Sequence, residues 1–336
     1  MGFLTVLSVC GLTVLPAEAT DAGGLARPVT TYSIVARDSV TGELGVAVQS
    51  HYFSVGPIVP WAEPGVGAVA TQAWADPSYG PLGLGLMRMG RSAPEALRAL
   101  VSADSAESRR QVAMIDAQGR VAAHTGDRCI AEAGHRVGRG YAVQANLMEQ
   151  STVWGAMAHA YETAPGDLAE RLLAALEAAE REGGDIRGRQ SAAILVVSGT
   201  NTDKPWGDRV FDLRVEDHPD PVAELRRLVT LQRAYAKLND ADRWMNVEDL
   251  GKAIEALREA TSIVRDEATN GEIAFWAGVT LVTAGRFDEA VTYFARAYRQ
   301  DERWAEVVRR LHAAGELTGD EQLIDRIVAG MRARRP

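Results

Sequence analysis

The sequence predicts an α+β fold in which antiparallel strands are covered by helices and followed by a smaller all-helical region. Two observations predict this class. Alternating apolar runs occur as hairpin pairs with helix patterns grouped between them, and continuous helix patterns follow Asp220-Pro221. Such grouping is typical of antiparallel sheets, whereas a doubly wound parallel fold needs regular strand–helix alternation. The length of 336 residues allows two domains.

The strand signals come mostly in pairs. TYSIVARDSVTGELGVAVQS (31–50) has two alternating runs around 38–42, where Asp and Gly favour a tight turn. Two further pairs turn at 64–65 and at 116–119, and we predict single strands in GYAVQANLM (140–148), SAAILVVSG (191–199) and RVFDLRVEDHPDP (209–221). The predicted order is two hairpins, helices, a third hairpin, a strand, two helices and further strands.

Helix patterns fill the gaps between the strand signals. The predicted helices are YGPLGLGLMRMG (79–90), APEALRALVSAD (93–104) with Ser92 as its cap, STVWGAMAHAYE (151–162) and APGDLAERLLAALEAAEREGG (164–184). Beyond residue 220, small and aromatic residues such as Gly278, Ala290 and Phe294 have the spacing of a tetratricopeptide repeat, and part of the pattern recurs 37 residues upstream. We therefore predict a tetratricopeptide-like domain over 221–333 that docks a partner or covers the first domain.

The N-terminus predicts export. MGFLTVLSVCGLTVLPAEA (1–19) has an apolar run followed by the small-x-small triplet Ala17-Glu18-Ala19, as a secretory signal peptide does. No Lys or Arg precedes the run, so a buried N-terminal helix or an over-extended start codon stays as an alternative. The run is too short to span a bilayer comfortably. The prediction is a periplasmic or secreted protein, with residues 20–30 as a leader and without a membrane span.

Composition and motifs exclude several classes of function. The net charge of −9 and the pI near 5.3 provide no basic surface for nucleic acid. The six histidines form no HExxH motif, and neither a GxGxxG fingerprint, a Walker lysine nor a G-x-S-x-G elbow is present. The sequence therefore predicts neither a metal nor a cofactor.

The stretch PVTTYS (28–33) holds a candidate nucleophile. A threonine hydroxyl attacks poorly unless a base takes its proton, and a free α-amine on the same residue can be that base. The amine has a pKa of about 8, close to working pH. Thr31 at the start of the first strand could therefore act once it becomes the N-terminal residue. The alternative is an ordinary β-branched strand residue.

Several motifs together resemble one family. They are TYSIVARDSVTGELGVAVQS, PIVPWAEPGVGAVATQAWADPSYGPLGL, VAAHTGDRC, GYAVQANLM, GGDIRGRQSAAILVV and VEDHPDPVAELRRL. Over about 30–230 the chain resembles the DUF1028 family, uncharacterised proteins placed in the N-terminal-nucleophile (Ntn) hydrolase superfamily. The resemblance implies a four-layer αββα sandwich over 31–220 and hydrolysis of amide bonds, without naming a substrate. Regions like 250–330 in such proteins carry a peptidoglycan-binding label.

The resemblance also implies catalytic residues. Thr31 aligns with the N-terminal nucleophile, and Asn146 is a candidate donor to the oxyanion. Asp185 and Ser191 resemble the Asp and Ser that steady the nucleophile's amine in proteasome-like members, although their spacing differs. The proteasome-type lysine after the second strand is absent from QSHYFSVGPIVPW (49–61). Activation would therefore rest on the amine of Thr31.

Further polar residues are implied to contact substrate: Gln49, Ser50, His51, Gln72, Arg189 and Gln190. Among them, His51 and Arg189 could give electrostatic help to the nucleophile. Structural interpretations stay open for each site residue. Asn146 could cap a strand, Gln72 could hydrogen-bond in the interior, and Arg189 could pair with Asp185 or a surface acid.

The leading functional hypothesis is an exported amidohydrolase that cleaves a small-molecule amide or a small peptide through Thr31. Cleavage after Ala19 would leave Thr20 first, eleven residues before Thr31, so a second cut is required. The rival is a non-catalytic binding protein for a ligand or an envelope component. In either case the helical tail would dock a protein or peptidoglycan, and a homo-oligomer is compatible with the sequence.

Overall fold

The computed structural model of the protein describes residues 27–333. Within this range ten strands form two sheets whose pairings are all antiparallel. The strands are β1 (Thr31–Arg37), β2 (Leu44–Ser50), β3 (Pro60–Glu63), β4 (Gly67–Ala73), β5 (Arg110–Asp116), β6 (Val121–Thr125), β7 (Gly134–Gly138), β8 (Tyr141–Ala145), β9 (Ser191–Val197) and β10 (Arg209–Val215). The predicted signal peptide (1–19) and the first part of the leader lie outside the described residues.

The two sheets stack face to face and are covered by helices. One sheet has the order β10-β9-β2-β1-β8-β7 and the other β3-β4-β5-β6. Apolar side chains of both sheets fill the space between them. The helices of this part are α1 (Tyr79–Arg88), α2 (Ala93–Ala103), α3 (Val153–Thr163) and α4 (Leu168–Arg181).

Each outer sheet face has its own core. Helices α3 and α4 cover the six-stranded sheet, and α1 and α2 cover the four-stranded one. The predicted α+β class and its αββα layering are confirmed. The helix starts follow local rules: Ser92 forms a capping box with Glu95, and the Asp167 side chain accepts a hydrogen bond from the Glu170 amide.

Between residue 221 and residue 333, the regular elements are all helices. They are α5 (Pro221–Asn246), α6 (Leu250–Ile263), α7 (Glu272–Thr283), α8 (Phe287–Gln300), α9 (Trp304–Ala313) and α10 (Glu321–Ala333). Val222, Leu225 and Val229 of α5 belong to the core over the six-stranded sheet, whereas Ala234 and Leu238 belong to the helical core. One helix therefore contributes to both cores, and the domain boundary at 220/221 stays a prediction.

Helices α7 and α8 pack closely where the repeat pattern places small residues. A Cβ on Gly278 would lie 3.0 Å from ring carbons of Phe294, so only glycine leaves this spacing undisturbed. Phe275 also packs edge-on against the Phe294 ring. The tetratricopeptide assignment itself stays a prediction. Within residues 27–333, no helix is long and apolar enough to cross a membrane.

One strand was not predicted. Strand β7 (Gly134–Gly138) lies at the edge of the six-stranded sheet, and its three central residues are exposed. An exposed edge strand buries neither face fully, so it lacks the alternation of apolar and polar residues that identified the other strands. It pairs with β8, which was predicted.

Candidate active site

The predicted nucleophile lies between the two sheets. Thr31 is the first residue of β1 and is paired in register with Ser50, the last residue of β2. Both side chains are fully buried. The Thr31 hydroxyl lies 2.8 Å from the carbonyl oxygen of Val29 and 3.1 Å from Ser50 Oγ, and it donates to these oxygens. The hairpin register thus brings a second hydroxyl to the nucleophile, because paired residues point to the same face.

The peptide bond before Thr31 is held by two donors. The Ser50 hydroxyl donates to the carbonyl oxygen of Thr30 at 2.5 Å, and Arg187 Nη2 donates to the same oxygen at 3.0 Å. A hydroxyl and a guanidinium that converge on one carbonyl oxygen can stabilise the negative charge that develops there when the carbonyl carbon is attacked. The bond between Thr30 and Thr31 therefore lies in an oxyanion-binding arrangement.

A buried carboxylate positions this guanidinium. Asp185 accepts from Arg187 Nε at 3.0 Å, from its Nη2 at 2.7 Å and from its backbone amide at 2.9 Å. The backbone amide of His51 also donates to Asp185, at 3.3 Å. The bidentate pair fixes the plane of the guanidinium, so Nη2 can reach the Thr30 carbonyl without reorganisation. Asp185 thus fixes the orientation of the Arg187 side chain.

Side-chain amides hold the main chain of Thr31. Its carbonyl oxygen accepts from Gln72 Nε2 at 3.1 Å, from the Asn146 backbone amide at 3.1 Å and from Asn146 Nδ2 at 3.4 Å. Gln111 Oε1 in turn accepts from Gln72 at 2.7 Å and from Asn146 at 2.9 Å. The Asn146 amide is therefore engaged with Thr31 and Gln111, and the two donors to the Thr30 carbonyl come from elsewhere.

A cavity of about 500 Å³ opens beside this arrangement. It is lined by Arg27, Pro28, His51, Tyr52, Phe53, Arg187 and Gln190. Two of these residues, Arg27 and Pro28, precede the nucleophile and form part of the wall. Removal of the chain before Thr31 would therefore enlarge the cavity and extend it towards the Thr31 hydroxyl.

Some predicted residues serve the loop near the site. The Ser191 hydroxyl donates to the carbonyl oxygen of Tyr52 at 2.5 Å and accepts from the Val55 amide at 3.1 Å, which anchors the loop after β2. Gln190 bonds Asp217 at 3.2 Å and lines the cavity. Ser191 therefore makes its side-chain bonds to the loop and none to Thr31.

Two predicted residues lie elsewhere. Gln49 pairs with Tyr32, so its side chain points to the helix-covered face of the sheet, opposite to Thr31. Arg189 forms an ion pair with Glu180 of α4, and Tyr32 donates a hydrogen bond to the same carboxylate. Burial raises the pKa of Glu180. The structure thus does not bring Gln49 or Arg189 to the nucleophile.

Sequence reasoning missed two residues of the arrangement. Arg187 is not among the predicted site residues, although an arginine two residues after Asp185 can bond that carboxylate from the same turn. Gln111 directly precedes the apolar run VAMI (112–115) of β5, and a polar amide next to such a run is a usable signal. Among residues 27–333 there is no cluster of three or more His, Cys, Asp or Glu side chains that could hold a metal ion.

Comparisons with known proteins agree with the family that the motifs resemble. Residues 31–225 match the model of the family of unknown function DUF1028. The crystal structure of protein SPO2555 from Silicibacter pomeroyi, described with the same family model, is 33% identical with a TM-score of 0.54, over 59% of this chain and 84% of that chain.

A more distant structure is Anbu (ancestral beta-subunit) from Yersinia bercovieri. It is 15% identical with a TM-score of 0.31, over 59% of this chain and 92% of that chain, a similarity too low to inform the site. No curated protein matches the sequence. Because the family model spans more than half of the chain, the protein belongs to the DUF1028 family.

Proposed function

We propose that the protein is an N-terminal-nucleophile amidohydrolase that first cleaves its own Thr30–Thr31 bond and then hydrolyses amides with the new N-terminal threonine. One observation carries the proposal. The carbonyl before Thr31 receives hydrogen bonds from Ser50 and Arg187, while the Thr31 hydroxyl lies within hydrogen-bond distance of that same Ser50. Nucleophile, proton acceptor and oxyanion donors therefore surround one peptide bond.

The self-cleavage begins with a proton transfer through Ser50. Thr31 Oγ1 attacks the carbonyl carbon of Thr30 and passes its proton to Ser50 Oγ. Arg187 stabilises the negative charge that develops on the Thr30 carbonyl oxygen until Ser50 gives its own proton to that oxygen. The carbon–nitrogen bond then breaks as that proton moves to the Thr31 nitrogen. The products of this step are an ester on Thr31 Oγ1 and a free α-amine, and water then hydrolyses the ester.

The mature site reuses the same groups. The α-amine of Thr31 takes the hydroxyl proton, since its pKa of about 8 leaves much of it neutral near working pH. The substrate carbonyl replaces the Thr30 carbonyl between Ser50 and Arg187. Gln72 and Asn146 hold the main chain of Thr31 so that the hydroxyl keeps its direction. Loss of one oxyanion donor costs about 10²–10³-fold in rate in well-studied hydrolases.

The test combines processing with turnover in the full chain. Intact mass and N-terminal sequencing are expected to give a mature chain that starts at Thr31. Thr31→Ala should keep the leader and hydrolyse no amide, whereas Thr30→Ala should be processed because the Thr30 side chain makes no hydrogen bond among the described residues. A mature chain that starts at Thr20 and binds ligands without turnover would reject the proposal and favour the non-catalytic rival.

Export belongs to the same proposal. Signal peptidase would remove residues 1–19 during secretion, and self-cleavage would follow once β1 and β2 are paired. Self-cleavage comes second because Ser50 and Arg187 reach the Thr30 carbonyl only in the folded chain. A fractionated native host should contain the mature chain outside the cytoplasm, and recovery of an uncut chain in the cytoplasm alone would contradict this part.

A further inference from the structure

The segment before Thr31 binds the sheet as a short extra strand. The Val29 amide donates to the carbonyl oxygen of Ala73 at 2.6 Å, and the Ala73 amide donates to the carbonyl oxygen of Val29 at 2.9 Å. This is an antiparallel bridge to the last residue of β4. Strand β3 pairs with β4 only as far as Ala70, so the edge beyond it is available to the segment. Both hydrogen bonds use main-chain atoms only.

The backbone at this edge is unusual. Ala73 has a φ of 66°, in the left-handed region that non-glycine residues seldom adopt. Such conformations persist where the surrounding structure requires them, and they cluster at binding and active sites. In this conformation, the amide and the carbonyl oxygen of Ala73 both bond to Val29. The edge is therefore suited to an extended chain that binds through its backbone.

The side chains of the segment differ in their surroundings. Val29 is fully buried in the apolar cluster between the sheets, together with Val55 and Val59. Thr30 is also buried, but its hydroxyl has no hydrogen-bond partner among residues 27–333. Pro28 lines the cavity. The first position before the cleaved bond (Thr30) thus forms no side-chain hydrogen bond within the described residues, the second (Val29) lies in an apolar environment, and the third (Pro28) faces the cavity.

From these contacts we infer that the mature enzyme acts on peptides, and that residues 28–30 occupy the acyl side of its substrate site until they are cleaved off. The inference rests on the proposed function and names its substrate class. The substrate is an extended L-peptide that pairs with Ala73 and carries an aliphatic residue two positions before the hydrolysed bond. A simple acyl amide has no amide group to donate to the Ala73 carbonyl, so it lacks half of the bridge.

The leaving segment is then the first product. Its new carboxylate lies where Arg187 held the Thr30 carbonyl, so a peptide that ends in Pro-Val-Thr with a free carboxylate should bind the mature chain and inhibit it competitively. A charged residue in place of the valine should abolish this binding, because an unpaired charge would be buried in the apolar cluster.

The test uses the self-cleaved protein and four coumarylamide substrates. They are acetyl-Arg-Pro-Val-Thr-aminomethylcoumarin, the same peptide with N-methylvaline, the same peptide with aspartate for valine, and acetyl-Thr-aminomethylcoumarin. N-Methylation removes the donor to Ala73 and keeps the side chain, so we expect kcat/KM to fall about tenfold or more. Aspartate should lower it about 100-fold or more. The truncated amide lacks both the bridge and the valine, so it should be a poorer substrate than the parent and the N-methyl peptide.

Separate outcomes address the two proposals. The peptide site would be overturned if acetyl-Thr-aminomethylcoumarin had the same kcat/KM as the tetrapeptide substrate, or if the N-methyl peptide had the same kcat/KM as its parent. Either result would leave the proposed amidohydrolase function intact. Calorimetric binding of the Pro-Val-Thr product without hydrolysis of any amide would keep the site and reject the proposed function. A chain that always retains residues 27–30 would overturn the inference as well, since the segment would then be a permanent strand.

Discussion

Replacing Ser50 with alanine is expected to slow cleavage of the Thr30–Thr31 bond by about 10²–10³-fold. The Ser50 hydroxyl is one of two donors to the Thr30 carbonyl oxygen, at 2.5 Å, and it accepts from Thr31 Oγ1 at 3.1 Å. Its loss leaves Arg187 as the other donor and removes the path for the proton. A rate loss of this size corresponds to about 2.7–4 kcal/mol of lost transition-state stabilisation.

Ser33→Ala is the matched control. Ser33 is a buried serine on β1 whose hydroxyl donates to Gln72 Oε1 at 2.6 Å and makes no hydrogen bond to Thr30 or Thr31 among the described residues. Each substitution deletes one buried hydroxyl, so each should lower the free energy of unfolding by about 1–3 kcal/mol. Ser50→Ala alone should slow cleavage.

The assay is a time course of intact mass after cell-free synthesis of the full chain, with urea unfolding of each variant as the check on folding. The two variants should unfold at similar urea concentrations while their cleavage rates differ. Cleavage of Ser50→Ala at the wild-type rate would refute the assigned proton path. Equal slowing by both substitutions would show that the rate follows the stability of the buried network instead.

Three further predictions concern other parts of the molecule. Arg187→Met should slow self-cleavage by about 10²-fold or more. Arg189→Met should leave it unchanged, because Arg189 pairs with Glu180 on the other face of the sheet. Similar mass time courses for the two variants would contradict this assignment. The raised pKa of Glu180 means that its protonated form favours the folded state, so stability is lost as the pH rises through the folded-state pKa. The free energy of unfolding of the wild type relative to Glu180→Gln should therefore be greatest near pH ~4 and decrease towards neutral pH. A difference that stays the same at all pH values in urea titrations would contradict this prediction. In the C-terminal helices, Gly278→Ala should lower the free energy of unfolding by about 1–3 kcal/mol, because the added methyl overpacks α7 against α8. Gly155→Ala in α3 of the sandwich is the control: its methyl meets open space within the described chain and should raise the free energy of unfolding by about 0.5–1 kcal/mol. Melting temperatures that shift in the same direction would contradict this explanation.

Local patterns were sufficient for most of the elements and for part of the site. Alternation and turn residues predicted the β1–β2 hairpin, and a two-strand register with a short turn already pairs Thr31 with Ser50. Ser92 and the helix after it were also readable, because capping depends on neighbours within one turn. Gln49 shows the same rule at work: the family resemblance implies a substrate contact, but alternation along β2 directs its side chain to the face opposite Thr31.

Residues close together in the chain predict the order of hairpins and helices, the all-helical C-terminal region and a threonine at the head of the first strand. The surroundings of the Thr30–Thr31 bond, in contrast, depend on residues that are distant in the chain. Arg187 reaches Thr30 across 157 positions, and Val29 pairs with Ala73 at the far end of the other sheet. The first contact arises because β9 pairs with β2 within the six-stranded sheet, and the second because the two sheets stack. The spacing of residues along one strand or helix carries no information about either arrangement.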